Sequence, residues 1–96
     1  MNPAMINKIK KLQKQMEEAQ EALQSREFIG KASGVEVIMQ GTRQVIDVKI
    51  NPELLDEVEL LQDAVLLAVN DALHQIDKEQ ESTMGQFTGG MGGFGF

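Results

Sequence analysis

Apolar positions change their period twice along this chain. Met5, Ile9, Leu12, Met16, Ala19 and Leu23 recur at spacings of four, three, four, three and four, a seven-residue stripe along one helix face. Asn2-Pro3 supplies a capping side chain and a first-turn proline, and no Gly or Pro follows until Gly30. The spacing predicts a helix from about Pro3 to about Glu27, roughly 35 Å long. So narrow a stripe suits packing on one partner rather than enclosure in a core.

Alternation then replaces the helical period. Glu27 to Ser33 is a strand candidate with a permissive glycine at Gly30, and Gly34 marks a turn. Val35, Val37 and Met39 share one strand face, while Glu36, Ile38 and Gln40 share the other. Gly41-Thr42-Arg43 makes a short hairpin loop, after which Ile46, Val48 and Ile50 point one way and Asp47 and Lys49 the other. The expected sheet has one apolar face and a second, mixed face that is solvated or partly covered.

Asn51-Pro52 repeats the helix-start signal. A brief helical turn from Pro52 to Leu55 is expected, then a long helix from about Glu57 to about Glu81, with Asp56 as a cap and Glu59 three residues on. Apolar residues between 60 and 69 cover most of that helix's circumference, so it is expected to be buried on more than one side. Ser82 to Phe96 holds six of the nine glycines and three of the four phenylalanines. Residues 1–82 therefore read as a single domain and 83–96 as a Gly/Phe/Met-rich flexible tail. The predicted class is α+β in two layers: a long N-terminal helix, a three-stranded antiparallel sheet, a short helical turn and a long C-terminal helix.

A 96-residue chain of this kind leaves a single core little stability margin, so oligomerisation is expected. The absence of Cys excludes disulfides, thiolate metal sites and cysteine nucleophiles. No signal-peptide pattern opens the chain, and no apolar run approaches the ~20 residues of a membrane span, so a cytoplasmic location is expected.

The net charge of −6 is unevenly spread. Residues 1–15 carry Lys8, Lys10, Lys11 and Lys14 and no acid, whereas residues 51–81 carry nine acids against Lys78. An overall acidic chain argues against nucleic-acid binding by net charge. A local basic tip remains open, because distant acids are screened beyond about 10 Å at 0.1 M salt.

Lys10, Lys11 and Lys14 lie roughly opposite the Met5–Ile9–Leu12–Met16 stripe at about 100° per residue. The four lysines are candidate phosphate contacts; the plainer reading is a solvated face with Lys14 meeting Glu17 and Glu18. Arg43 in the hairpin loop is a further DNA-contact candidate or an ordinary exposed residue, and Lys49 is expected to pair with a neighbouring acid. Lysine lacks the planar fork of bidentate base reading, so any DNA binding is expected to be weakly sequence-specific. Asn70 and Asp71 read as a buried amide and carboxylate fixing the backbone or a dimer interface, and His74 as a surface histidine. Phe87, Phe94 and Phe96 are candidates for base stacking or self-association. No nucleophile–base pair, metal cluster or phosphate-cradling loop is legible, so neither an enzyme nor a cofactor is expected.

Several of these segments together resemble the YbaB/EbfC family of bacterial nucleoid-associated proteins. They are the Lys- and Gln-rich stretch from Met5 to Leu23, Val35-Glu36-Val37 ending at Gly41, the run Val48-Lys49-Ile50-Asn51-Pro52-Glu53-Leu54-Leu55, and Ala68-Val69-Asn70-Asp71-Ala72. The resemblance covers residues 3 to about 84 and departs from the family in the compact Gly30–Gly34 segment. It implies a tweezer-like α/β homodimer that binds DNA in the cytoplasmic nucleoid and takes part in nucleoid organisation or gene regulation. Family members are often encoded beside replication and recombination genes. That gives the alternative reading, a dimeric protein-interaction module linked to that machinery without direct DNA binding.

Overall fold

The computed structural model describes residues 2–89. Its order is α1 (Pro3–Ser25), β1 (Glu27–Ala32), β2 (Val35–Gln40), β3 (Val45–Ile50), a short 3-10 turn (Pro52–Asp56) and α2 (Val58–Gly89). The three strands form one antiparallel sheet in the order β1-β2-β3, as the alternation predicts. The compact Gly30–Gly34 segment leaves β1 a full six-residue strand, in register from Glu27 opposite Gln40 to Ala32 opposite Val35.

Local chemistry sets each boundary. The Asn2 side chain accepts from the Met5 N–H at 2.8 Å, and Asn51 does the same for Glu53 at 3.0 Å, so both Asn-Pro pairs are caps. Ser33 (φ 41°) and Gly34 (φ 92°) turn β1 into β2 with both central residues left-handed, the geometry that matches strand twist. The Leu61 N–H bonds the Glu57 carbonyl at 2.9 Å, so Glu57 rather than Asp56 stands at the head of α2.

The core is one layer of side chains between α2 and the sheet. Ala64, Ala68, Ala72 and Ile76, four residues apart, form the helix's buried ridge. Val35 and Val37 meet Ala64 and Ala68 beside Leu54, while Phe28 and Met39 meet Ala72 and Ile76 beside Leu23. Small ridge residues let the backbones close up. A Cβ on Gly30 would lie 2.0 Å from the Ala68 carbonyl oxygen, so that position requires glycine for proximity.

Three expectations need correction. First, α2 does not end near Glu81 but runs to Gly89, so residues 83–89 of the expected tail are helical and residues 90–96 lie outside the described residues. Met84 and Phe87 are half-buried and continue the Ile76–Gln80 spacing, and Gln20 of α1 donates to the Met84 sulfur at 3.5 Å, so α1 supplies a packing partner. Second, the upper part of α2 is not covered all round. Leu60, Leu66 and Leu67 are exposed, because the sheet covers only one side. Third, Asn70 is exposed and Asp71 only half-buried. Asp71 still fixes backbone: it accepts the Lys31 N–H at 3.0 Å, while Gln75 donates to the Ile29 carbonyl at 2.8 Å. Together they block the outer edge of β1.

Candidate nucleic-acid interface

The chain is drawn out. Its Cα radius of gyration is 19.1 Å, against about 12.5 Å for a compact chain of this length. The cause is α1, which has two unlike halves. Near its C-terminus Leu23 is buried beside Phe28 and Ile76. The Leu23 carbonyl oxygen sits where a Cβ on Gly41 would come within 1.9 Å of it, and the Gly41 N–H donates to the Arg26 carbonyl at 2.9 Å. Glycine at 41 lets the hairpin loop grip the root of the helix.

Arg26 pairs with Glu79 at 2.9 Å and Gln20 reaches Met84, so α1 runs antiparallel to α2 along the latter's final turns. Leu12, Met16 and Ala19 are half-buried on this side, and everything from Asn2 to Lys11 is exposed. The first turns of α1 form an arm.

Lys8, Lys10, Lys11 and Lys14 all lie exposed on that arm. Lys10, Lys11 and Lys14 face away from the stripe, and Lys8 stands at its flank. Among the described residues none of the four takes part in an ion pair, so the expected Lys14 contacts to Glu17 and Glu18 do not form. The acids that share their end of the molecule are partly matched. Asp77 pairs with Arg43, Glu79 pairs with Arg26, and Asp71 holds the Lys31 N–H. Asp56, Glu57, Glu59 and Asp63 stand at the start of α2. From Asp63 to Met84 is roughly 30 Å of helix, about three Debye lengths at 0.1 M salt. Glu17, Glu18 and Glu21 lie closer, within two turns of Lys14 on α1 itself, so the positive field is confined to the first turns of the arm, where residues 2–14 carry four lysines and no acid.

Arg43 is not brought to the lysines. It occupies a left-handed conformation (φ 70°) in the β2–β3 loop, with its guanidinium on Asp77 and on Gln80, the latter at 3.3 Å. Lys49 finds no acid, because Glu36, opposite it in register, pairs with Lys31 at 3.7 Å. His74 is exposed, Phe87 is half-buried, and Phe94 and Phe96 lie outside the described residues. Among the described residues no group of three or more His, Cys, Asp or Glu is placed to hold a metal ion, and no helix is long and apolar enough to cross a membrane.

Of the residues that place the arm, Gly41 and Gln20 carried no sequence signal of their own as site residues. Met84 and Phe87 did carry one, a helical spacing continued from Ile76 and Gln80.

Fold and site define a small two-layer α+β protein that carries a basic helical arm. Residues 1–91 match the model of the YbaB/EbfC DNA-binding family. The chain is 46% identical over 94 residues to a nucleoid-associated protein of Enterococcus faecalis, covering 94% of this chain and 90% of that one. It is 42% identical to one from Lactococcus lactis, covering 92% and 93% of the two chains. A solved structure of an uncharacterised Helicobacter pylori protein shares the fold at a TM-score of 0.76, with 18% identity and coverage of 92% and 98%. The chain belongs to the YbaB/EbfC DNA-binding family.

Proposed function

We propose that this protein is a homodimeric nucleoid-associated protein. It binds DNA in the cytoplasm, mainly through phosphate contacts with little sequence specificity, and helps organise the nucleoid or regulate gene expression. The observation that carries this reading is the arm: four exposed lysines that form no ion pair among the described residues, about three Debye lengths from the acidic start of α2. Membership of a DNA-binding family supports it independently. Lys8, Lys10, Lys11 and Lys14 are the proposed contacts. Arg43, held by Asp77 at the arm's root, makes at most a peripheral one.

The dimer rests on a different surface, the β3 edge of the sheet. The helix α2 covers β1 and β2 but leaves β3 bare, with Val45, Ile46, Val48 and Ile50 all 40–45% exposed. Leu60 and Leu67, seven residues apart on one face of α2, are exposed as well. A solvated patch of that kind beside an open strand edge invites a second copy. Sizing tests it: the native chain should run as a dimer and Val48→Lys with Ile50→Lys as a monomer. A native chain that sizes as a monomer would remove the dimer.

Mobility shifts test the DNA reading. Unrelated duplexes of equal length should bind within a few-fold of one another, and changing the four lysines to Gln should weaken all of them alike. A variant that binds as tightly as the native protein would sink the lysine assignment. Loss of all DNA binding by the native protein, with partners retained from nuclease-treated lysate, would favour a protein-interaction module linked to replication or recombination proteins.

A further inference from the structure

The arm carries a second feature that phosphate contact does not use. Its stripe is a strict seven-residue seam, with Ile9 and Met16 in one heptad position and Met5 and Leu12 in the other. Within the molecule α2 occupies the C-terminal part of that seam, where Leu23 is buried and Ala19 and Met16 are half-buried. Beyond it the same face runs on uncovered, with Met5 56% and Ile9 43% exposed and Ile6 alongside at 38%.

We propose that the N-terminal seam of α1 docks against the same seam of a second copy belonging to another dimer, as a short two-helix coil that links assemblies. Three observations support this occupant. The seam continues in phase an interface that already holds a helix, α2, so its geometry is that of helix packing. Its width argues the same way: two positions in seven form the strip that meets one helix, whereas a lipid surface needs a broader apolar face. Of the arm's four lysines only Lys8 stands at a flanking position, beside Ile6, Gln13 and Gln15, so Lys10, Lys11 and Lys14 are kept off the seam and the repulsion between two arms falls as salt screens it.

The lysines fit this arrangement. With the seam paired, Lys10, Lys11 and Lys14 still face outward, so one arm holds DNA and a second arm at the same time. The tips project past the C-terminal turns of α2, whereas β3 lies at the sheet edge alongside Ala64 to Ile76, so the seam and the proposed dimer face are separate surfaces. A seam of three turns is far smaller than the roughly 1,200–2,000 Å² that stable complexes bury. Pairing is therefore weak between free molecules and strengthened when a shared DNA raises their effective concentration. That last step rests on the DNA reading; the pairing itself does not.

The lack of native cysteine permits a direct test without DNA. Single-cysteine variants of the full chain, Met5→Cys, Ile9→Cys and Leu12→Cys, are oxidised mildly, alone and in mixtures, with Lys14→Cys as the outward-facing control. Disulfide-linked chains should form at the seam at least about tenfold faster than at the control, and the product should be larger than the native assembly. Adding Ile9→Glu to Met5→Cys should abolish the reaction. Equal rates at seam and control overturn the proposal, as does a product of unchanged size. Reaction that begins only after residues 90–96 are removed assigns the seam to the chain's own C-terminal segment and overturns it as well. None of these outcomes depends on whether the lysines bind DNA.

Discussion

The two halves of α1 share one periodic stripe yet do opposite work. From Met16 to Leu23 the stripe meets α2 and becomes core, and the helix root is clamped by Gly41. From Met5 to Ile9 the same residue types are solvated and the helix serves to present charge. Periodicity therefore identifies a helix and its packing face, but only the length and direction of the partner decide how much of that face is used. Substitutions in the root should cost stability and leave the arm's chemistry intact; substitutions in the arm should do the reverse.

The largest effect is expected at the clamp. Gly41→Ala places a Cβ on top of the Leu23 carbonyl, a backbone atom that cannot step aside. We expect a loss of about 3 kcal/mol or more in urea unfolding, accompanied by displacement of α1. Ile76→Ala comes next: the side chain is fully buried between Leu23 and Phe28, and its removal should cost roughly 2–4 kcal/mol. Breaking the Arg26–Glu79 pair with Glu79→Gln should cost no more than about 1 kcal/mol, since both side chains are about half exposed. The arm marks the other extreme, where Met5→Ala should change stability by less than about 0.5 kcal/mol. A melting shift for Met5→Ala as large as that for Ile76→Ala would erase the distinction between root and arm.

Much of this division was legible in the sequence. The caps at Asn2 and Asn51, the alternation through β2 and β3, and the stripe of α1 each follow from local rules that tertiary packing did not override. Contacts between distant segments were not legible. Gly30 read as a permissive position and Gly41 as part of a hairpin loop, whereas the structure uses them for proximity to Ala68 and Leu23. The C-terminal reach of α2 was hidden by glycines at 85 and 89, which disfavour a helix in isolation but are outweighed by packing on α1. Arg43 read as a DNA contact or an exposed loop residue and Asp71 as a buried group fixing the backbone; in the structure each ties α2 to the sheet, through the β2–β3 loop and through the edge of β1.

The basic cluster of Lys8, Lys10, Lys11 and Lys14 was legible in the sequence, but its place on a projecting arm was not. It depends on α1 running antiparallel to α2, which carries the arm away from the acidic start of α2, and on Arg26 and Arg43 meeting Glu79 and Asp77. Swapping charge at those pairs would sharpen the point. Arg26→Gln leaves Glu79 uncompensated at the arm's root, roughly 18 Å along α1 from Lys14, and should weaken DNA binding slightly and only at low salt, an effect that vanishes as salt screens it.

The most direct test is a titration of duplex DNA at several salt concentrations, with the native chain and with Lys8, Lys10, Lys11 and Lys14 all changed to Gln. If each lysine meets a phosphate, the slope of log affinity against log salt should flatten by about 3 to 4 for each arm engaged, or about 7 for a dimer that uses both, with the melting temperature nearly unchanged. An unchanged slope in a folded variant would contradict the account and move the DNA contact away from the arm.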